Sequence, residues 1–199
     1  MQIINSKFLI SNTDVSKCPN NNLPDYAFIG RSNVGKSSLI NALCNNKRLA
    51  LISSKPGKTQ LINHYLINKS WHIVDLPGYG YALTSKQNKK KFQEYIIKYF
   101  LERKQMISAF LLIDIRIKPQ KIDLEFINWL GEKKLPFSIV FTKSDKIKSK
   151  DLQENVEAFF EKMNEKWSSI PKYFITSSVN KSGLKNILKY IDELNKLIL

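Results

Sequence analysis

The feature that most restricts the fold is the run Gly30-Arg-Ser-Asn-Val-Gly35-Lys36-Ser37, a G-x-x-x-x-G-K-S pattern. It follows the apolar stretch Tyr26–Ile29 and precedes a helical pattern from Ser38 to Asn46. The glycines let the backbone curl so that successive N–H groups point inward. The helix behind adds its unsatisfied N-terminal donors and positive dipole end. Such a loop is a concave anion site, suited to the phosphates of a nucleotide, and it needs a buried strand before it and a helix after it. In that setting Lys36 can reach the β- and γ-phosphates and the Ser37 hydroxyl can ligate Mg²⁺. Arg31, Ser32, Asn33, Val34 and Ser38 complete the expected phosphate-binding segment.

The remaining chain supplies that setting. From Asp25 onward short apolar runs alternate with helical patterns, which predicts a parallel sheet covered on both faces. The runs are Tyr26–Ile29, Leu61–Ile67, Trp71–Leu76, Phe110–Ile115, Phe137–Phe141 and Tyr173–Ile175. Asn68-Lys69-Ser70 reads as a hairpin-like turn, so the second and third runs should be antiparallel. Leu152, Val156, Phe159, Phe160, Met163 and Trp167 share one helical face, and Leu184, Ile187, Leu188, Ile191, Leu194 and Ile198 share another. Both stripes read as core packing. The expected fold is three-layer α/β over residues 25–199: a mostly parallel, six-stranded sheet with one antiparallel strand and helices on both faces. Residues 1–24 read as an irregular lead-in ending in Pro19-Asn-Asn-Asn-Leu-Pro24, with room for one short strand at Phe8-Leu9-Ile10.

Further motifs follow in a fixed order. Asp75-Leu76-Pro77-Gly78 ends the third run. A carboxylate at that strand end can hold a magnesium-bound water, and Gly78 lets the backbone approach a γ-phosphate. Thr142-Lys143-Ser144-Asp145 follows the fifth run. An aspartate there can accept from the N1–H and exocyclic amine of guanine, while adenine would leave the carboxylate unpaired. The Lys143 stem can lie along the purine face. Thr176-Ser177-Ser178 closes the last run, where a backbone N–H can meet guanine O6. The set predicts a Ras-like G domain that binds GTP and GDP with Mg²⁺.

Taken together, the motifs resemble the TrmE–Era–EngA–EngB class of translation GTPases, and most closely the EngB family. The distinctive stretches are Gly30-Arg-Ser-Asn-Val-Gly-Lys-Ser-Ser-Leu-Ile-Asn41, Pro56-Gly-Lys-Thr-Gln60 and Asp75-Leu-Pro-Gly-Tyr-Gly-Tyr81, and the likeness runs from about Tyr26 to the C-terminal helix. It implies that Gly57, Lys58, Thr59, Gln60 and Leu61 belong to a switch I loop whose Thr59 ligates Mg²⁺ around a γ-phosphate. It also implies that Asn33 helps to hold K⁺ against the phosphates. Lys36, Asn33, Thr59 and Gly78 are therefore the residues expected to act at the reacting phosphate. The resemblance further implies a bacterial assembly factor for the large ribosomal subunit, linked to cell division and septation.

Two departures stand out. Thr142 replaces the asparagine usual in N-K-x-D, and its hydroxyl can still tie the loop to its neighbour. Tyr79 follows Gly78 where other G domains carry a water-orienting glutamine, so unassisted hydrolysis should be slow.

Charge points the same way as the resemblance. Lysine and arginine number 32 against 17 acidic residues, a formal charge of +15. Such an excess favours a polyanionic partner such as ribosomal RNA. Lys86, Lys89, Lys90 and Lys91 form a basic cluster suited to RNA phosphates or to a solvated helix start, and Tyr79 and Tyr81 could stack on bases or be buried. The two cysteines, Cys18 and Cys44, lack metal or disulfide spacing. His64 and His72 read as packing or surface residues. With no leader pattern and no long apolar run, a monomeric cytoplasmic protein without a membrane span is expected. An RNA-binding scaffold that holds GTP without turning it over remains a second reading. A P-loop nucleotide kinase ranks last, because Arg48, Arg103 and Arg116 form no phosphate-clamping cluster.

Overall fold

The computed structural model describes residues 1–51, 61–79 and 86–198, with side chains for all of these except 86–93. Gly57, Lys58, Thr59, Gln60 and Tyr81, and the side chains of Lys86, Lys89, Lys90 and Lys91, lie outside the described residues.

In chain order the elements are β1 (Ser6–Asn12), β2 (Asp25–Gly30), α1 (Lys36–Leu43), β3 (Ile62–Ile67), β4 (Trp71–Asp75), α2 (Lys86–Glu102), β5 (Met106–Asp114), α3 (Lys121–Glu132), β6 (Phe137–Thr142), α4 (Ser149–Asn164), β7 (Tyr173–Ile175) and α5 (Leu184–Ile198). They build one seven-stranded sheet in the order β1-β3-β4-β2-β5-β6-β7. β2 pairs in parallel with β4 and β5, and β5, β6 and β7 continue the parallel series. β3 runs against both of its neighbours, so it is the one reversed strand. The seventh strand, beyond the six expected, is β1, which carries Phe8-Leu9-Ile10 onto the edge of β3 with a bulge between Phe8 and Ile10.

Alternation along the strands sorts the core into two layers, as the two-residue period of a strand requires. Tyr26 and Phe28 face α1 and α5, meeting Leu39, Ile40, Ile187 and Ile191. Ala27 and Ile29 face the other way, into the cluster that holds Tyr99, Phe100, Ile127, Leu130 and Phe159 of α2, α3 and α4. The β3–β4 turn uses Asn68 (φ +48°) and Lys69 (φ +57°). Two left-handed residues give the twist that a tight antiparallel hairpin needs. The Asn68 side chain also accepts from the Ile4 and Asn5 amides, at 2.9 and 3.0 Å, and so pins the chain ahead of β1. Cys18 and Cys44 are buried and unpaired, and burial pushes their thiols up to about 11 and about 12. They pack as small apolar side chains.

A buried polar cluster lies where β2 begins. Asp25 accepts from Arg103 Nε at 2.7 Å and from the Tyr99 hydroxyl at 3.2 Å, and shares a 2.8 Å hydrogen bond with His72 Nδ1. Arg103 also donates to the Pro19 carbonyl at 2.6 Å, and Asn21 Nδ2 lies 3.3 Å from His72 Nε2. The cluster therefore fastens residues 19–21 to the far end of α2. Burial alone would raise the Asp25 carboxyl, but the neighbouring His64 and His72 rings and the Arg103 guanidinium outweigh it and hold the group well below the usual carboxylate range. His64 Nε2 lies 3.5 Å from Asp25 Oδ2, and neither ring nitrogen has a hydrogen-bond partner among the described residues.

Burial lowers the His64 value, with Asp25 opposing, so the ring is folded in its neutral form. The unfolded chain then takes up the proton first. Stability is complete above about pH 6.5 and falls as pH drops below it, well before the Asp25 contribution is lost below about pH 4. The melting temperature should therefore be lower at pH 5.5 than at pH 7.5, and His64→Gln should flatten that slope in thermal unfolding curves. No flattening in a folded variant would remove His64 from the explanation.

Candidate nucleotide-binding site

All parallel strands deliver their motifs to one edge of the sheet. β2 ends at Gly30, and α1 starts at Lys36 with Gly35 as its N-cap. Gly35 has φ +102°, a conformation that a side chain would strain, and no side chain caps the helix. The first-turn amides thus stay open towards an anion. Lys36 is buried, and its ammonium is hydrogen-bonded to Asp75 Oδ1 at the end of β4. Ser37 and Ser38 are half-buried in the first turn, while Ser32 and Asn33 are exposed. Leu76 and Pro77 are buried, and Leu76 donates its amide to the Phe28 carbonyl at 3.0 Å, which carries Gly78 alongside the loop. Leu61 is exposed at the start of the segment leading into β3.

The presumed base end lies across α1. The Thr142 hydroxyl donates to the Val34 carbonyl at 2.7 Å, so the residue that replaces asparagine does tie β6 to the phosphate loop. Lys143, left-handed at φ +63°, sends its ammonium to the Asn33 carbonyl at 2.6 Å and to Asp114 Oδ2 at 2.8 Å. Asp145 accepts from the Ser177 hydroxyl at 2.6 Å, and this bond lowers its value, keeping it ionised. Thr176 and Ser177 are fully buried; Ser144 donates its amide to the Thr176 carbonyl at 3.2 Å. A cleft of about 170 Å³ is lined by Gly35, Ser38, Thr142, Lys143, Asp145 and Ser178, among others. One cleft thus gathers the phosphate-loop helix and both presumed guanine-reading loops.

Two aspartates at this edge carry no motif. Asp114 ends β5 and accepts from Arg116 Nε and Nη2 at 2.9 and 2.8 Å as well as from Lys143. Burial pushes its carboxyl up, but the bonds from Arg116 and Lys143 outweigh it and the value is lowered. Asp123, in the first turn of α3, accepts from Arg31 and from Tyr79. Burial raises its carboxyl against the pull of both donors. Tyr79 is buried, with its ring stacked on Phe126. It is therefore held against α3, which settles its alternatives in favour of burial. A lone acid inside an otherwise buried pattern was the available signal for both aspartates, since an unpaired one would be costly.

This fold and this edge define a P-loop GTPase. The family profile described as "50S ribosome-binding GTPase" matches residues 25–143. A protein of Christiangramia forsetii named "Probable GTP-binding protein EngB" is 59% identical over 198 residues, 100% of both chains. A crystal structure of a probable GTP-binding protein engB matches with a TM-score of 0.69 at 26% identity, over 86% of this chain and 98% of that one. Era in complex with MgGDPNP and nucleotides 1506-1542 of 16S ribosomal RNA shares the fold, with a TM-score of 0.67 at 23% identity over 85% of this chain and 55% of that one. The chain belongs to the EngB family of GTP-binding proteins. Among the described residues no helix is long and apolar enough to cross a membrane.

Proposed function

We propose that this GTPase acts as a nucleotide-dependent switch on the large ribosomal subunit or its precursor, in the cytoplasm, and that cell division and septation depend on it through ribosome supply. The observation that carries the reading is the cleft where Gly35 and Ser38, at the start of the helix that holds the Lys36–Asp75 contact, face Lys143 and Asp145. Lys36 and the amides of residues 30–38 take the phosphates, and Asp145 reads guanine with the 176–178 loop beside it. The hydroxyl and carboxylate oxygens of Ser37 and Asp75 suit a hard divalent cation. Ser37 and Thr59 would hold Mg²⁺ directly and Asp75 through water, and the ion would neutralise charge on the β- and γ-phosphates. Asn33, exposed within the loop, is the residue through which K⁺ would add positive charge at the same place.

The partner is supported by the +15 charge and by the family description. Era, a structural relative, is seen with a ribosomal RNA fragment. Lysines bind RNA largely by displacing counterions, so affinity should fall steeply with salt. In co-sedimentation, the chain should pellet with large-subunit particles more strongly with a non-hydrolysable GTP analogue than with GDP. Changing Lys89, Lys90 and Lys91 together to Glu should weaken pelleting and flatten its salt dependence, leaving GTP binding unchanged. Wild-type behaviour of the triple variant at every salt concentration would make that cluster a solvated face. The scaffold reading keeps one observation in its favour, a buried Tyr79 in the place of a water-orienting glutamine. Turnover stimulated by ribosomal particles or by K⁺ over Na⁺ would exclude it.

A further inference from the structure

Asp123 belongs to no motif, yet it joins two of them. Its carboxylate, 1% exposed, receives Arg31 Nε–H on both oxygens at 3.1 Å and the Tyr79 hydroxyl on Oδ1 at 2.8 Å. Arg31 is the first residue past Gly30, and Tyr79 is the first past Gly78. Their backbones form a parallel bridge that prolongs the β2–β4 pairing beyond both strands. The Tyr79 ring lies nearly flat on Phe126, with centroids 4.6 Å apart and planes at 17°, which fixes where the phenol points. Gly78 is held just ahead of this clamp. A Cβ on Gly78 would stand 2.7 Å from the Gly30 carbonyl oxygen and 3.2 Å from the Ser32 amide nitrogen.

We propose that Asp123 is a positioning residue of the GTPase site: by holding Arg31 and Tyr79 together, it sets the Gly78 amide against the phosphate loop where the terminal phosphate of GTP lies. The inference rests on the assignment of the nucleotide phosphates to residues 30–38. A glycine N–H has no side chain to steer it, so its aim is set by its neighbours. One buried carboxylate with two donors, one of them charged, fixes two loops relative to each other, because leaving either donor or acceptor unpaired is costly there. GDP lacks the phosphate in question, so the clamp acts on GTP binding and hydrolysis and hardly on GDP. The tyrosine in the glutamine's place then has its own task, anchoring the loop from behind.

Tyr79→Phe keeps the ring on Phe126 and removes only the hydroxyl, whereas Asp123→Asn keeps the shape and removes the charge. Each variant should lower affinity for a non-hydrolysable GTP analogue, and turnover, by about tenfold, the low end for one hydrogen bond to a charged acceptor. Affinity for GDP should stay within about twofold of wild type. The double variant should lose no more than the worse single one, since both changes open the same contact. A merely structural role would instead weaken both nucleotides together, in step with the melting temperature. That result, or an analogue-to-GDP ratio unchanged in both single variants, overturns the proposal. A wild-type chain without affinity for any guanine nucleotide would overturn the site assignment itself, and the first titration separates that case from the others.

Discussion

Asp145→Asn is expected to lose guanine nucleotides and gain xanthine nucleotides. In the wild type, the Ser177 hydroxyl occupies Asp145 Oδ1 at 2.6 Å. The ionised carboxylate still has acceptor capacity for two donors on a base edge. Guanine presents N1–H and an exocyclic amine there, and adenine presents neither. Sites of this kind reject a base that lacks the donors by about a thousandfold or more, because the acceptor, once covered by the base, is left unpaired. An asparagine replaces one acceptor oxygen with a donor NH₂, which clashes with the guanine amine and suits the xanthine carbonyl. Direct titration with GDP, ADP and XDP reads the outcome. Comparable wild-type affinity for ADP and GDP would end the assignment of Asp145 to the base.

The second large effect concerns stability, away from the nucleotide. Arg103→Met should cost about 3–5 kcal/mol, the range found when one partner of a buried ion pair is removed. Asp25 is fully buried and Arg103 is 8% exposed, so solvent has little access to screen the charge left behind. For a domain of this size that corresponds to a fall of roughly 6–20 °C in melting temperature. The same change also strips a donor from the Pro19 carbonyl, loosening the chain between β1 and β2. Adding Asp25→Asn should restore part of the loss by removing the stranded charge. Equal melting temperatures for wild type and Arg103→Met would show that water reaches the cluster.

The contrast between the two experiments reflects what a linear reading can see. The phosphate loop is legible because its glycines, lysine and serine are adjacent in sequence, and the strands are legible because apolar residues repeat locally. β5 begins four residues earlier than its apolar run, at Met106, since Ser108 is buried within it and breaks the pattern. Asp25, Asp114 and Asp123 escape for a different reason. Each is a single acid with a partner far off in sequence: Arg103 for the first, Lys143 (beside the nearby Arg116) for the second, Arg31 and Tyr79 for the third. Asp114 left a trace as the one acid in the apolar run of β5, and Asp123 left one in α3. The latter shares the buried face of α3 with Ile127 and Leu130, a spacing normally reserved for apolar side chains. Asn41 is a smaller case. Its side chain holds both the amide and the carbonyl of Ala50, at 2.8 and 2.9 Å, closing the turn after α1.

The bulge in β1 bears on how copies of the chain meet in a crowded solution. The sheet ends at β1, and among the described residues nothing pairs with its outer side. An exposed row of amides and carbonyls invites another strand to add itself, the first step towards open-ended association. In β1 the row is broken: register shifts between Phe8 and Ile10, so the ladder's spacing is lost partway along a seven-residue strand. Lys7 adds an exposed charge beside the break. A second strand could lay down only a few hydrogen bonds before the mismatch, against the repulsion of two chains at +15 each. The edge that completes the sheet is thus built to be a poor template for copying it.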